Sequence, residues 1–163
     1  MFEHWCLNIV YIVMKLETAI QQTRPFNSQI EKALVNLLFS HNYITNRMST
    51  FFKEYGLTAK QYNILRILRG AGEPISTATI RDRMIDRMSD ASRIVDRLEK
   101  KELIIKKSCP TDKRKVDVEI SLRGKELLKS IEGPMANHNK SMIGLNETEA
   151  NTLNKLLDKL RIA

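Results

Sequence analysis

Two arginines spaced one helical turn apart are the residues of this sequence best suited to bind a partner. Arg93 and Arg97 lie four positions apart, so an α-helix places both on the same face. A guanidinium group there can pair with O6 and N7 of guanine in the major groove, or bind a phosphate. Arg93, nearer the start of the helix, is predicted to read a base, and Arg97 to bind a phosphate. The alternative is a charged helix face that is only solvated.

A second group of cations follows at residues 108–115, which read Ser-Cys-Pro-Thr-Asp-Lys-Arg-Lys. Between Lys100 and Lys115 there are seven basic residues against two acidic ones, so the charge is concentrated there. Consecutive cations on a β-turn project charge outward, which suits contacts with a nucleic-acid backbone or minor groove. Asp112 lies two residues before Arg114, near enough to orient its guanidinium group; the alternative is an exposed polar turn without a function. The predicted cationic contacts of this hairpin are Lys107, Lys113, Arg114 and Lys115.

The charge and composition of the chain limit the kinds of partner and chemistry. Its 163 residues carry a formal net charge of +8 at pH 7, which indicates an anionic partner. Sixteen Lys and Arg against ten Asp and Glu lie between Thr58 and Arg123, so most of the excess falls in that segment. Cys6 and Cys109 are too few for a disulfide framework and have no Cys or His at metal spacing, which favours a reducing cytoplasm and predicts no metal site. The sequence also lacks a nucleophile–base pair, so no catalytic residue and no enzyme are expected.

A helix-turn-helix is predicted to hold the two arginines. Apolar residues recur every three or four positions between residues 91 and 98, which gives the second helix one apolar face. Ser76 is predicted to cap the shorter first helix, and a break at 86–88 separates the two. Ser89 is predicted to cap the second helix, with Asp90 at its first position favouring the helix dipole, although a carboxylate there can also accept from cytosine N4. The residues predicted to face DNA from these helices are Ser76, Thr77, Ser89, Asp90, Ser92, Arg93 and Arg97.

The remaining periodicities predict a mainly α fold with a small β-hairpin wing. The apolar segment 103–105 and the alternating segment 116–120 predict the two strands of the hairpin. A wide apolar stripe predicts a long helix from Asn27 or Ser28 to about Gly56, and its width suggests contact with more than one neighbour.

Capping signals predict where other helices begin and end. Thr58 with Gln61 forms a capping box, and Asn146 begins the last helix in the same way. Ser121 is predicted to cap the helix that follows the hairpin. The dipeptide at 133–134, Gly-Pro, is expected to kink or interrupt that helix.

The N-terminal segment, residues 1–14, contains a short apolar run. It is too short to span a bilayer and lacks the basic region and cleavage site of a signal peptide. Met14 is therefore expected to be the physiological start, since a more polar sequence begins there. The alternatives are an extra segment that packs on a dimer and attachment to a membrane; no membrane partner is predicted.

The hairpin and the helix before it carry a family resemblance. Residues 112–124 read Asp-Lys-Arg-Lys-Val-Asp-Val-Glu-Ile-Ser-Leu-Arg-Gly, and residues 95–104 read Val-Asp-Arg-Leu-Glu-Lys-Lys-Glu-Leu-Ile. With these motifs the chain resembles the MarR family of bacterial winged-helix regulators, and the family's helix order extends over about Phe26 to Leu160. The resemblance implies a homodimer whose interface is built by the first and last two helices. It also implies a small, often phenolic ligand between the dimerisation and DNA-binding parts.

The resemblance also assigns roles to single residues, and the chain departs from the family at some positions. It implies that Arg114 enters the minor groove and that Asp112 orients it. Glu102 stands where the family usually has Gly, so the helix end is expected to need a different backbone solution. Ser121 replaces the more usual Thr and still caps. Cys109 lies near two lysines, whose charge favours a lower thiol pKa, but the favoured interpretation is a plain surface thiol and the alternative is a reactive one.

These observations predict the organisation of the chain. Residues 1–25 form an N-terminal extension, and residues 26–163 form a single domain. Within it, residues 57–122 form the winged helix-turn-helix that binds DNA. The dimerisation helices are predicted at 26–56 and 123–163, so the helical dimerisation region comes from both termini.

The predicted function is sequence-specific binding of double-stranded DNA by a cytoplasmic transcription regulator. A homodimer would read a pseudopalindromic operator, and the regulator is predicted to be a repressor released by a small-molecule effector. His41, Tyr43 and Tyr62 are candidates to line a pocket for a small aromatic effector, although their spacing also fits core packing. The alternative is a winged-helix protein-interaction module with only non-specific affinity for nucleic acid.

Overall fold

The computed structural model describes residues 15–108 and 116–162. The chain divides into two compact units, one up to Tyr43 and one from Ile44 onward. The described segments are mainly helical with one small antiparallel sheet, which confirms the predicted fold class. None of their helices is long and apolar enough to cross a membrane. The helices are α1 (Leu16–Ala19), α2 (Gln29–Glu54), α3 (Ala59–Ala71), α4 (Thr77–Arg83), α5 (Ala91–Lys100), α6 (Leu122–Met142) and α7 (Glu147–Leu160); the strands are β1 (Ile75–Ser76), β2 (Ile104–Ser108) and β3 (Val116–Ile120).

The first unit contains α1 and the first half of α2. Ser28 caps α2, because its Oγ accepts a hydrogen bond from the Glu31 N–H at 3.1 Å. The Glu31 carboxylate accepts one in return from the Asn27 N–H at 2.8 Å. The predicted cap at Asn27 or Ser28 is therefore Ser28. An ion pair of 2.5 Å joins Lys32 on α2 to Glu17 on α1. Several apolar side chains of this half of α2 are exposed, among them Ile30, Leu34 and Leu38.

The hydrophobic core lies in the second unit, where α3 contacts α4, α5, α6 and β3. α3 buries one apolar face there, which includes Leu65 and Leu68. Burying a side chain of this size stabilises the fold by roughly 1.5–3 kcal/mol relative to leaving it in water. The largest fully buried side chains are Phe52, Ile64, Leu65, Leu68, Ile80, Leu98, Leu128, Ile131, Val95 and Val118.

Local hydrogen bonds fix the start of α3 as predicted. The Thr58 hydroxyl accepts from the Gln61 N–H at 3.2 Å, and the Gln61 side-chain oxygen accepts from the Thr58 N–H at 3.0 Å. The predicted capping box is thus confirmed. Gly72 ends the helix with φ = +72°, a left-handed conformation that glycine adopts without the steric cost other residues bear.

The sheet has three strands in the order β1-β3-β2, not the two strands of the predicted hairpin. β3 pairs antiparallel with β2, from Ile104 opposite Ile120 to Ser108 opposite Val116. Its other edge pairs with β1, where Ile75 lies opposite Val118. A strand of two residues is too short to show alternation, so no sequence pattern predicts β1. Its pairing ties the start of α4 to the wing.

The end of α5 differs from what the sequence suggested. Glu102 adopts φ = +60°, the left-handed conformation that a glycine usually supplies at a helix end. The Glu102 N–H donates to the Glu99 carbonyl oxygen at 2.7 Å, and the Leu103 N–H donates to that of Leu98 at 3.1 Å. The expectation of a different backbone solution is therefore wrong: the same turn forms with a side chain that disfavours it.

α6 continues through Pro134, so of the two outcomes expected at Gly133-Pro134 the interruption is wrong, and the kink stays a prediction. Proline lacks the N–H that would donate to the Ser130 carbonyl, which weakens the helix there. Ile131 and Met135, on either side of this position, are both buried in the core. Packing on both sides therefore holds the helix together where local propensity would end it. At the N-terminus of α6, the Ser121 hydroxyl accepts from the Gly124 N–H at 3.0 Å, which confirms the predicted cap.

α7 is amphipathic, but its apolar side is exposed. The Asn146–Glu149 capping box begins the helix as predicted, with reciprocal hydrogen bonds of 2.9 and 3.0 Å. No residue of α7 is buried. Leu156 is 60% exposed, and Leu153 and Leu160 are also exposed. An apolar helix face of this kind normally contacts another element or another chain.

Candidate nucleic-acid interface

α5 has the two faces that the sequence predicted. Ala91, Val95 and Leu98 are buried in the core, and Ile94 is partly buried against it. The outward side carries polar and charged residues with no role in core packing. The exposed residues on that side are Ser92, Arg93, Asp96 and Arg97. The helix is therefore held by its apolar face and presents a row of hydrogen-bonding groups to solvent.

Asp90, and not Ser89, is the N-cap of α5. The Asp90 Oδ1 accepts a hydrogen bond from the Arg93 N–H at 3.1 Å. Ser89 lies in the preceding turn, where its hydroxyl donates to Oδ2 of Asp86 at 2.7 Å. The predicted cap is therefore wrong by one residue, as is the placement of Asp90 at the first helical position. Both residue types cap well, and here Asp86 engages the serine hydroxyl.

Asp86 organises the turn between α4 and α5. Its Oδ1 accepts from the Met88 N–H at 3.1 Å, and the Lys60 ammonium on α3 lies 2.8 Å from its Oδ2. Hydrogen bonds from Lys60 and then from Ser89 lower the pKa of the Asp86 carboxyl from 3.8 to about 2. At neutral pH the ionised carboxylate thus fixes the turn in front of α5. The ion pair of Asp86 with Lys60 was not predicted, because it joins this turn to α3, which lies far away in the sequence.

Arg93 stands at the start of α5 with its side chain directed by the cap. The Nε of Arg93 lies 3.2 Å from Oδ2 of Asp90, and the arginine side chain is largely exposed. A guanidinium group has five N–H donors, so a contact through Nε leaves other donors for a further acceptor. The structure thus presents Arg93 in the place where the sequence predicted a base-reading residue.

Arg97 lies one turn further along α5 and opens onto a basic cavity. This cavity has a volume of about 550 Å³, and its charged lining residues are all cations. They are Lys53, Arg97, Lys100 and Lys101. Clustered cations without acidic neighbours suit a phosphate better than a base edge. The phosphate contact of Arg97 stays a prediction.

The first turn of α4 holds the other two residues predicted from the helix-turn-helix. The Ser76 hydroxyl accepts from the Thr79 N–H at 3.1 Å and shares a hydrogen bond with the Thr79 hydroxyl, so Ser76 caps α4 as predicted. Thr77 is half-buried. Exposed cations nearby were not predicted to take part in DNA binding, although the Arg-Asp-Arg run and the arginine of the turn can be read in the sequence. These cations are Arg81, Arg83 and Arg87.

The described part of the wing contains Lys107, on β2. The Lys107 ammonium lies 2.7 Å from the Glu119 carboxylate on β3, and its side chain is about half exposed. Lys107 therefore has a neighbour on the sheet that competes with a phosphate for its charge. The predicted tip residues Lys113, Arg114, Lys115 and Asp112, together with Cys109, lie outside the described residues.

Lys106 connects the wing to α5. Its ammonium lies 2.6 Å from Asp96 and 2.7 Å from Glu99, two carboxylates on α5. Hydrogen bonds that the Lys106 ammonium donates to these carboxylates raise the pKa of Lys106, and the same contact lowers the pKa of Asp96. This cluster was not predicted, because it joins a strand to a helix. One cation thereby offsets part of the negative charge of two carboxylates on the helix predicted to approach DNA.

The three residues predicted for an effector pocket have different surroundings. In the first unit, His41 is exposed and Tyr43 is about half exposed. In the second unit, the Tyr62 ring packs on Phe52, with ring centroids 4.4 Å apart, and the Arg66 guanidinium lies over the Tyr62 ring at 5.9 Å. Tyr62 is thus partly buried and packs against the core, as its alternative interpretation predicted, and its role in an effector pocket stays a prediction.

A cavity beside Phe51 was not predicted. It has a volume of about 350 Å³, and the Phe51 ring on one side stacks on His138, with centroids 4.5 Å apart. The Nε2 of His138 is buried and has no hydrogen-bond partner within the described ranges. The other lining residues are Asn46, Arg47, Thr50 and Glu54. Aromatic surface next to an unsatisfied ring nitrogen is suited to a small aromatic ligand that carries a hydrogen-bonding group.

Comparison with known proteins finds similarity to bacterial transcription regulators at the level of family, sequence and structure. Residues 57–116 match the MarR family. The chain is 28% identical over 131 residues to the HTH-type transcriptional regulator MhqR of Bacillus subtilis (strain 168), covering 79% of this chain and 89% of that protein. The MarR transcription factor of Planctomyces limnophilus is 28% identical with a TM-score of 0.66, covering 85% of this chain and 100% of that one. The organohalide-sensing RdhR transcriptional regulator, in its 2,4-dichlorophenol-bound form, is 25% identical with a TM-score of 0.75 and a coverage of 86% for each chain.

Proposed function

The chain belongs to the MarR family of DNA-binding transcription regulators, and we propose that it reads a specific operator by placing α5 in the major groove. The observation that carries this proposal is the position of Arg93. It stands at the exposed start of an otherwise well-packed helix, with its guanidinium held by Asp90 at 3.2 Å. The N-terminal residues of a recognition helix reach the base edges, and a bidentate arginine there selects guanine.

The rest of the interface supplies affinity without sequence information. Arg97 and the cations of the cavity beside it bind phosphates, as do the exposed arginines of α4 and the turn. Ser92 faces the groove next to Arg93. Ser76 and Thr77 approach the backbone from the start of α4, and the wing, with Lys107 at its base and Arg114 oriented by Asp112 at its tip, contacts the adjacent minor groove.

The regulator acts as a homodimer in this proposal. Residues 57–122 are the DNA-binding part, and 26–56 with 123–163 supply the dimerisation helices. The exposed apolar side chains of α7 support this arrangement, as do those of the first half of α2, because a second copy would cover such faces. Two recognition helices related by a two-fold axis read half-sites one helical turn apart, so the operator is pseudopalindromic. The protein acts in the cytoplasm, where it reaches its DNA.

Selection from a randomised duplex library at physiological salt tests this function. The expected result is enrichment of an inverted repeat with half-site centres about 10 base pairs apart. If the dimer neutralises about eight phosphates, log K falls with log salt at a slope near −7. Binding without enrichment would contradict the proposal and favour a protein-interaction module with charge-driven affinity for nucleic acid.

The regulator is a repressor that a small aromatic molecule releases from DNA. The cavity beside Phe51 supports this, as does the similar regulator RdhR in its 2,4-dichlorophenol-bound form. The test titrates 2,4-dichlorophenol into the protein bound to its selected operator. Release by the phenol from the native protein but not from His138→Ala is expected, with Asn139→Ala, an exposed neighbour on α6, as a matched control that keeps the response. Release that survives His138→Ala would place the ligand elsewhere, and no release would remove this phenol as an effector.

A further inference from the structure

The turn before α5 exposes apolar side chains where the surrounding sequence is charged. Met88 is 96% exposed and Ile85 is 92% exposed, although both lie between the buried side chains of Met84 and Ala91. Arg87 lies beside Met88 in the chain and is exposed as well. Apolar side chains this exposed do not stabilise the fold by packing. Their place at the proposed DNA interface therefore suggests a role in contacting a partner.

The backbone that carries Met88 is fixed. Its N–H donates to Oδ1 of Asp86 at 3.1 Å, and the Ser89 N–H donates to the Asp86 carbonyl oxygen at 3.3 Å. The ion pair of Lys60 with Asp86 anchors the same turn to α3. Met88 therefore projects from a held turn, two residues before the cap of α5, and its side chain starts from a defined position.

The polar residues next to Met88 already have partners inside the turn. The Ser89 hydroxyl donates to Asp86, and the Asp90 carboxylate caps α5 and contacts Arg93. Neither group reaches a base without giving up one of these partners. Of the three consecutive residues before α5, Met88 is the one whose side chain is almost wholly exposed.

We propose that Met88 is a specificity-determining residue that contacts the C5-methyl group of a thymine in the major groove. The inference rests on the proposed function, since it requires α5 to lie in that groove. The thymine methyl is the one apolar group that a base pair presents there, and apolar side chains read it by contact. The flexible, polarizable thioether of methionine adapts well to such a surface.

The test removes single methyl groups from the operator selected by the native protein. Each thymine is replaced in turn by deoxyuridine, which differs only in lacking the methyl, and the Kd is measured at fixed salt. Replacement of one particular thymine in a half-site is expected to raise the Kd of the protein for the operator about fourfold. This factor corresponds to the free energy of burying one methyl-sized group. With Met88→Ala the same replacement is expected to have no effect, because the side chain that touches the methyl is already absent.

Two further variants separate the contact from general effects on the turn. Met88→Leu keeps an apolar side chain and is expected to keep the sensitivity to deoxyuridine, whereas Met88→Gln, of similar length, is expected to lose it. Ile85→Ala is the matched control, since it also removes an exposed apolar side chain from this turn; it should keep the sensitivity. Native-like melting temperatures for all variants would show that the fold is intact, as the exposure of both positions predicts.

The outcomes distinguish this inference from the function on which it rests. If the native protein selects an operator but no thymine couples to Met88, the inference is overturned and the proposed function stands. Coupling to Ile85 in place of Met88 overturns it as well. If the native protein selects no sequence, the proposed function fails and the inference fails with it.

Discussion

The ammonium group of Lys106 on β2 lies 2.6 Å from the carboxylate of Asp96 on α5, and this contact joins the wing to the proposed recognition helix. Glu99, near the end of the helix, shares the same cation at 2.7 Å. The pairing has two consequences for DNA binding. It fixes where the wing stands relative to α5, and it offsets part of the negative charge that would otherwise repel phosphates.

Replacing Lys106 with Met is expected to weaken operator binding several-fold, because Asp96 and Glu99 are left as uncompensated negative charges. The Kd is measured by titration of the selected duplex at fixed salt. The triple variant Lys106→Met, Asp96→Asn, Glu99→Gln should recover most of the affinity, since it removes the repulsion. Failure of this rescue would mean that Lys106 contacts DNA directly.

Substitutions of Arg93 and Arg97 are expected to weaken DNA binding in different ways. Arg93→Ala should weaken binding to the operator by about 1–3 kcal/mol and relax selection at one base pair in each half-site. Arg97→Ala should weaken binding to all sequences alike and reduce the salt slope by about 1 for each phosphate that the protein no longer neutralises. Selection and salt titration of both variants check this, with Arg24→Ala as the matched control, because this exposed arginine lies outside the proposed DNA-binding and dimerisation parts. Unchanged base preference in Arg93→Ala would contradict its role in readout.

The lowered pKa of Asp86 predicts how the stability of the fold changes in acid. Its folded pKa of about 2 lies below the ordinary 3.8, so the stability it contributes is present above pH 3.8 and declines as the pH falls toward 2. Denaturant unfolding at a series of pH values should show a steeper decline in stability over that window for the native protein than for Asp86→Asn. The matched control is Asp82→Asn, which changes an exposed carboxylate on α4. Equal pH dependence of native protein and Asp86→Asn would contradict the assignment.

Gly124 is expected to tolerate no side chain. A Cβ at this position would overlap the backbone carbonyl oxygen of Leu103 and come within 2.8 Å of Ile120. Gly124→Ala should therefore destabilise the protein by about 1–3 kcal/mol through overpacking. Gly70→Ala is the matched control, because a Cβ there meets no atom within 4 Å, and it should stabilise α3 by about 0.5–1 kcal/mol. Denaturant unfolding measures both, and equal effects at the two positions would show that space near Leu103 is not limiting.

Glu102 bears the steric cost of a left-handed backbone at φ = +60°. Glu102→Gly is expected to raise the free energy of unfolding by about 1 kcal/mol, since glycine adopts this conformation freely. Glu102→Ala serves as the control, because it removes the ion pair with Arg123 but keeps the strained backbone. Greater stability of the alanine variant than of the glycine variant would contradict the backbone explanation.

The sequence predicted the elements that depend on short-range patterns. The apolar face of α5, the Thr58–Gln61 box and the Ser76 and Ser121 caps all involve residues within one or two helical turns of each other. Such contacts form wherever the local residues permit them, so spacing alone identifies them. The wing tip around Arg114, the dimer and the effector site stay predictions.

The contacts of single residues at the interface were harder to predict from the sequence. From the sequence alone, Ser89 and Asp90 are equally good candidates for the cap of α5. The choice depends on Asp86, which accepts the Ser89 hydroxyl and is itself paired with Lys60 on α3. The cation cluster around Arg97 was also not foreseen, because it gathers residues from the ends of α2 and α5. Interactions between segments far apart in the chain leave no periodic signal.

The sequence by itself therefore determined the class of fold, the helix that presents Arg93 and Arg97, and the concentration of positive charge around them. The tertiary structure decided that β1 joins the sheet, that α6 passes through Pro134, and that Lys106 is occupied by carboxylates of α5. The physical reason is the range of the interactions. Backbone caps and amphipathic faces are local, whereas strand pairing, burial on both sides of a proline and ion pairs between elements exist only after the chain has folded.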